Sequence, residues 1–388
     1  MNPPQQSYAS VAKPQRHDPV NRTKILLLGT RRSGKTSILQ VLFNNLSPKQ
    51  TFYLDPTMRA TKHTFESEHL LHTIIPLEIW DCPGNITTDT LGAPLSDFST
   101  IIFVIDIRDF YQQPVAKLVE FIASAFQVHP SIDFQVFVHK AENLQEDDKY
   151  ENFRQIHERV LDCLADEPPE LEQIPLNFHL TSVYDHTLRD AFSRVLHKLI
   201  DSLPYLEGLL NVFCSNTSCP KAFLFDINSK LYVATDASPV DQATHNLCCD
   251  YVQMLNSFGP LYKSNAAESR TAAFSPPSTP SHTTNAAQSH ITSTGGSSAQ
   301  ADTPSPSSAL RKPLIFPSAS ASLTPSHPGT TLTYHLVTPH LALLALLPTT
   351  VYEMRRGLVE WNVVWFREGV REIWEVEKER CEGRLALT

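Results

Sequence analysis

Short apolar runs, separated by stretches with helical spacing, set the rhythm of the first half of the chain. KILLLG at 24–29 ends on glycine and leads into TSILQVLFNNL, where Ile38, Val41, Leu42 and Leu46 recur at helical intervals. PLEIWD, STIIFVIDI, FQVFVHK and LNFHLTS follow, with helical patterns around 113–127 and 151–165 between the later runs. A run that is apolar at consecutive positions is buried on both faces. The pattern therefore predicts an α/β domain over 23–203, a mostly parallel sheet wrapped by helices on both sides.

Beyond Leu203 and Pro204 the rhythm changes. LEGLLNVF reads as a helix, and KAFLFDINSKLYVATD as two strands about an Asn-Ser turn, a β-hairpin. An amphipathic helix is expected over 239–258, with Val240, Leu247, Val252 and Leu255 toward one side. TLTYHLV and HLALLALL predict two more strands. A long closing helix carries Met354, Leu358, Trp361, Val364, Trp365, Val370 and Ile373, either as core or as a face for a partner. The second domain is thus expected to be α+β, built from 204–263 and 329–382. Between its halves, 264–328 is dominated by Ser, Thr, Pro and Ala. Too few apolar groups are present there to offset the entropy of ordering, so the segment is expected to be disordered, as is the polar tail 1–22.

Composition agrees with this division. The 388 residues suit two domains plus unstructured segments, and 29 prolines against 12 glycines fit a Pro-rich unfolded part. A net charge of −9 argues against a bulk nucleic-acid or anionic-membrane binder. Seven cysteines, odd in number and irregularly spaced, suit a reducing compartment, and Cys214 and Cys219 lack a second pair at zinc-finger spacing. The first residues show no apolar signal core, the end offers no prenylation cysteine, and Leu341 to Leu347 is too short to span a bilayer. Membrane contact is expected only through partners.

Candidate chemistry begins at GTRRSGKT, a match to G-x-x-x-x-G-K-S/T between a predicted strand and helix. Gly29 opens the turn. The backbone N–H groups of Arg31, Arg32, Ser33, Gly34, Lys35 and Thr36 can wrap a β-phosphate, and Ser37 follows at the start of the helix. Lys35 would reach the β/γ oxygens, and the Thr36 hydroxyl would bind Mg²⁺. WDCPG ends a strand farther on. Its Asp81 would hold Mg²⁺ through a water, and the Gly84 N–H would sense a γ-phosphate. Between them lies LDPT, whose Thr57 could give the metal a second hydroxyl. HKAE supplies a base reader: a Glu142 carboxylate accepting from guanine N1–H and N2–H rejects adenine, while the Lys140 stem packs on the ring and His139 precedes it. In LTSVYDH the backbone near Ser182 and Val183 would face the base O6. The set implies GTP or GDP with Mg²⁺.

With RRSGKT after ILLLG, IWDCPG, FVHKAE, LTSVYDH, and KAFLFDINSKLYVATDASPVD followed by LCCD, the chain resembles a Rag/Gtr-type small GTPase of the RagC/RagD branch. The likeness covers roughly 24–263 and resumes weakly over 330–380. It implies a Ras-like P-loop G domain followed by a roadblock-like domain, and a heterodimer with a RagA/RagB-like subunit. It further implies amino-acid signalling to the target-of-rapamycin kinase complex, on a scaffold complex at the lysosomal or vacuolar surface, by a protein that is otherwise cytoplasmic. In this branch the GDP-loaded form typically signals. The chain departs from the pattern in three places. HKxD becomes HKAE, the usual glutamine after the switch glycine is Asn85, and the 264–328 insertion has no counterpart.

Lys35, Gly84 and Asn85 are the expected catalytic set. Asn85 carries the water-orienting amide on a shorter arm, and Arg31 and Arg32 crowd the loop, so slow intrinsic hydrolysis helped by an activating protein is expected. Two rival readings are a pseudo-GTPase scaffold with a degenerate site and, more remotely, a P-loop ATPase with a separate ligand domain. His179 and His186 fall near the base-reading strands and are expected to be structural.

Overall fold

Five apolar runs become the parallel core of a six-stranded sheet in the computed structural model, which describes residues 23–64, 77–262, 316–323 and 329–385. Its strands are β1 (Thr23–Gly29), β2 (Thr61–Thr64), β3 (Leu77–Asp81), β4 (Thr100–Asp106), β5 (Asp133–His139) and β6 (Leu176–Thr181), in the order β2-β3-β1-β4-β5-β6. Only β2, an edge strand absent from the sequence reading, runs antiparallel. Alternate residues of each central strand face two separate cores. Leu26, Leu28, Ile101, Phe103, Ile105 and Val138 pack beneath α2 (Gln112–Val128) and α3 (Glu146–Ala165). Ile25, Leu27, Ile79, Ile102, Val104 and Phe137 pack beneath α1 (Lys35–Phe43) and, past the short α4 (Pro169–Glu172), α5 (Thr187–His197). Burial on both faces is why these runs do not alternate.

The second sheet is wholly antiparallel, in the order β8-β7-β11-β10-β9. It comprises β7 (Lys221–Asp226), β8 (Tyr232–Thr235), β9 (Ser318–Ser322), β10 (Thr330–Leu336) and β11 (Leu341–Pro348). On one face, Leu343, Ala345 and Leu347 pack with Leu206, Leu210 and Phe213 of α6 (Leu203–Thr217) and with Val359, Val363, Phe366 and Val370 of α8 (Thr349–Leu385). The helix after the hairpin, α7, spans Gln242–Tyr262.

Two expectations need correction, and the closing helix, read as core or as a partner face, is buried on one side and exposed on the other. Val240 precedes α7, and its buried positions are His245, Cys248, Cys249, Tyr251 and Val252, with Leu247 only half-buried. The expected disordered segment 264–328 contains β9, whose SASAS sequence has little strand propensity and gains order by pairing along β10. The rest of that segment up to residue 315, and the tail 1–22, lie outside the described residues. The closing helix buries Val359, Val363 and Phe366, whereas Met354, Leu358, Trp361, Val364 and Trp365 are exposed.

The division into two compact units does not fall at Leu203: both sheets and the helices packed on them belong to the first unit. Within the first unit, Leu231 of the β7–β8 hairpin joins the core under α1 and α5. Around it the Tyr232 hydroxyl donates to Asp190 at 2.8 Å, the Tyr232 N–H donates to Ser193 Oγ, and Lys230 donates to Asn45.

Candidate nucleotide-binding site

Strand register gathers the predicted residues at one edge of the first sheet. Leu27 pairs with Asp81, Gly29 with Val104, Asp106 with His139, and His139 with Thr181. The carboxyl ends of β1, β3, β4, β5 and β6 therefore open side by side, the position where open α/β sheets receive ligands.

The turn after β1 has no room for side chains at its glycines. A Cβ on Gly29 (φ +143°) would lie 2.3 Å from the Val104 carbonyl oxygen, and one on Gly34 (φ +108°) would lie 2.6 Å from His139 Cδ2. Ser33 and Lys35 are buried, while Arg31 and Arg32 are exposed. Lys35 Nζ donates to the carbonyls of Gly29 (3.0 Å) and Thr30 (2.8 Å) and to Ser33 Oγ. Burial lowers the Lys35 ammonium to about 8, partly opposed by Asp81. Its charge is thus under-solvated, and an incoming phosphate would compensate it.

At the helix start Thr36 Oγ1 donates to Asp81 Oδ2 at 2.6 Å, and Thr57 Oγ1 lies 2.7 Å from Thr36 Oγ1 and 3.2 Å from Asp81 Oδ2. Three oxygens from three segments converge, although Thr57 is twenty-one positions from Thr36. The other carboxylate oxygen, Asp81 Oδ1, is buried without a hydrogen-bond partner. A buried charged oxygen left unpaired is costly, and this donor set of hydroxyls and carboxylate suits Mg²⁺, a hard cation bound through oxygen and water. Thr30 Oγ1, inside the loop, is similarly unpartnered. Gly84 lies against the phosphate loop, half-buried, and Asn85 beside it is exposed.

The base-reading segments also meet. The Ser182 hydroxyl donates to Glu142 Oε2 at 2.7 Å, and the Tyr184 N–H donates to Ser182 Oγ at 3.0 Å. The extra methylene of Glu142 is thus accommodated, with its carboxylate drawn to the LTSVYDH loop. Ser182 and Val183 are buried, and the Ser182 N–H donates to Thr187 Oγ1. Lys140 adopts positive φ (68°) and donates to the Arg32 carbonyl and to Asp106, tying base reader to phosphate loop. His139 is buried beneath Gly34 with Nδ1 2.9 Å from Thr181 Oγ1. Burial, and then the neighbouring Lys140, lowers it to about 3, so it is a neutral packing and hydrogen-bonding group. Ser37, half-buried in the first turn of α1, completes the set. His179 and His186 bind protein partners, Gln135 and Asp250 respectively, as expected of structural histidines.

Motif spacing alone missed Asp106 and Thr181. Burial pushes the Asp106 carboxyl up, but hydrogen bonds from Arg108 and Lys140 outweigh it and hold the group below its ordinary value. The signal for Asp106 was available, since an acid closing the run IIFVID marks a strand end beside the site.

The family model described as "Gtr1/RagA G protein conserved region" matches residues 24–252. Mouse "Ras-related GTP-binding protein D" is 35% identical over 94% of this chain and 71% of its own length. Human "Ras-related GTP-binding protein C" is 34% identical over 92% of the chain and 78% of its own length. "GTP-binding protein gtr2" of Schizosaccharomyces pombe is 42% identical over 62% and 75%. The family model over 24–252 and the likeness to these relatives over most of the chain place the protein in the Gtr1/RagA G protein family, on its RagC/RagD-like branch.

Proposed function

We propose that this chain is a slow guanine-nucleotide switch, working as one subunit of a Rag-type heterodimeric GTPase in amino-acid signalling to the target-of-rapamycin kinase complex. The observation that carries the switch reading is the meeting of Thr36, Thr57 and Asp81, since Thr57 belongs to a separate loop whose placement a γ-phosphate can control. Lys35 neutralises the β/γ oxygens, the Gly84 N–H orients toward the γ-phosphate, and the Glu142 carboxylate with the Ser182 loop selects guanine. Magnesium held by Thr36 and Thr57, with Asp81 behind a water, would supply charge neutralisation of the β and γ oxygens. Asn85, exposed and shorter than glutamine, leaves the attacking water poorly oriented, which fits dependence on an activating protein.

The exposed stripe Leu358, Trp361 and Trp365, beyond the kink at Arg355, and the edge strand β9 support pairing with a RagA/RagB-like subunit through the second domain. Among the described residues no helix is long and apolar enough to cross a membrane. Recruitment from the cytoplasm to the vacuolar or lysosomal surface would then run through the scaffold complex.

Single-turnover GTP hydrolysis by the purified heterodimer tests the switch, and unaided turnover well above ~10⁻² s⁻¹ would refute a slow one. Equilibrium binding separates the pseudo-GTPase alternative, motivated by Asn85 and Glu142, because a scaffold shows no saturable guanine-selective binding.

A further inference from the structure

The switch loop makes a contact that none of the roles above uses. Lys117 of α2 donates from Nζ to the Gly84 carbonyl oxygen at 2.9 Å. On its other side Gly84 is pressed onto the phosphate loop, where a Cβ would lie 2.3 Å from Arg31 N and 2.6 Å from Arg31 Cα. With Thr57 bonded at Thr36 and Asp81, both switch segments are closed against the loop. We propose that Lys117 is a positioning residue for γ-phosphate recognition. By holding the Gly84 carbonyl it fixes the peptide between Gly84 and Asn85, and so anchors one side of the glycine whose N–H, on the preceding peptide with Pro83, would sense the phosphate. The inference rests on the GTP-binding reading.

Two physical points support it. Close approach to Arg31 requires glycine, yet glycine has the loosest backbone of any residue and cannot hold its own conformation. A restraint must come from outside the loop, and an ammonium–carbonyl bond is stronger than a neutral one. The anchor is also rigid, because Val115, Leu118, Phe121 and Ile122 fix α2 in the core. Burial lowers the Lys117 ammonium from its ordinary value, partly opposed by Glu120, as befits a charge withdrawn from water to serve one acceptor. The same peptide begins Asn85, so the tether also sets where the water-orienting amide starts.

The test uses the full-length chain and two variants, Lys117→Met, which keeps the stem without the donor, and Lys117→Arg, which restores a charged donor. GTP and GDP affinities are measured with magnesium, alongside amide exchange at 84–86 and thermal melting. Lys117→Met is expected to weaken GTP relative to GDP by about tenfold, the scale of one charge-assisted hydrogen bond. It should also speed exchange at Gly84 and Asn85 in the GTP-loaded form and leave the melting temperature within a degree or so. Lys117→Arg should recover most of the affinity ratio. An unchanged ratio, or an equal loss of GTP and GDP, overturns the inference. Absence of guanine-nucleotide binding by the unmodified chain would overturn the functional reading itself.

Discussion

At Asp81 a single carboxylate has its two oxygens in different circumstances: Oδ2 is engaged by Thr36 and Thr57, and Oδ1 is buried without a partner. Asp81→Asn keeps the shape but removes the charge, and should lower magnesium-dependent GDP affinity by about 10–100-fold, the usual cost of losing a group that orients a metal's ligands. Affinity in EDTA should change far less, and titration of a fluorescent nucleotide with and without chelator reads the difference. Lys35 gives a second expectation. Burial lowers its pKa to about 8, and a bound phosphate must raise it, so binding favours the protonated form. Affinity should be flat below about pH 7 and fall by up to about tenfold per pH unit above 8. Measurements from pH 7 to 9 check it, and affinity rising with pH would refute the role of Lys35. These residues were legible because phosphate and metal chemistry demands fixed types at fixed spacing. Lys117 was not, since one lysine on a helix carries no mark of what its tip will meet.

Among elements, strands were read well because continuous apolar runs have one explanation, burial on both faces. The failures have their own causes. β9 is five small residues, Ser and Ala in alternation, and owes its order to a neighbour rather than to its own propensity. On α7 the sequence pattern favoured Leu247, but burial belongs to His245, Cys248 and Cys249, whose surroundings come from another part of the chain. His245, for example, stacks on Phe225 of β7. The hairpin gives the sharpest test at this scale. Leu231, fully buried, fills the core of the nucleotide domain and not of its own sheet. Leu231→Ala should destabilise the protein by about 2–5 kcal/mol and reduce nucleotide affinity as well, measured by denaturant unfolding with and without GDP. A loss confined to the second domain would contradict the packing described.

For the whole molecule, the exposed aromatic stripe of α8 decides what deletion cannot. Removing everything after residue 204 would also strip Leu231 from the nucleotide domain, so a lost partner would be ambiguous. Trp361 and Trp365 are 63% and 65% exposed, and their truncation leaves the core intact. Trp361→Ala with Trp365→Ala should leave the melting temperature of the isolated chain nearly unchanged. The same pair should weaken the proposed heterodimer by at least about 2 kcal/mol, or thirtyfold, in a pull-down titration or by analytical ultracentrifugation. Full affinity would exclude this face.

The shared core around Leu231 has a further consequence for synthesis. The nucleotide domain leaves the ribosome first, yet one of its core side chains arrives only with the hairpin, some thirty residues after α5 ends. At roughly 5–20 residues per second that is a delay of seconds, during which a chain with every motif in place still lacks a finished interior. The interior beneath the first sheet is thereby finished by the first hairpin of the second sheet, so any shortened chain that ends before Leu231 carries the motifs over an incomplete core.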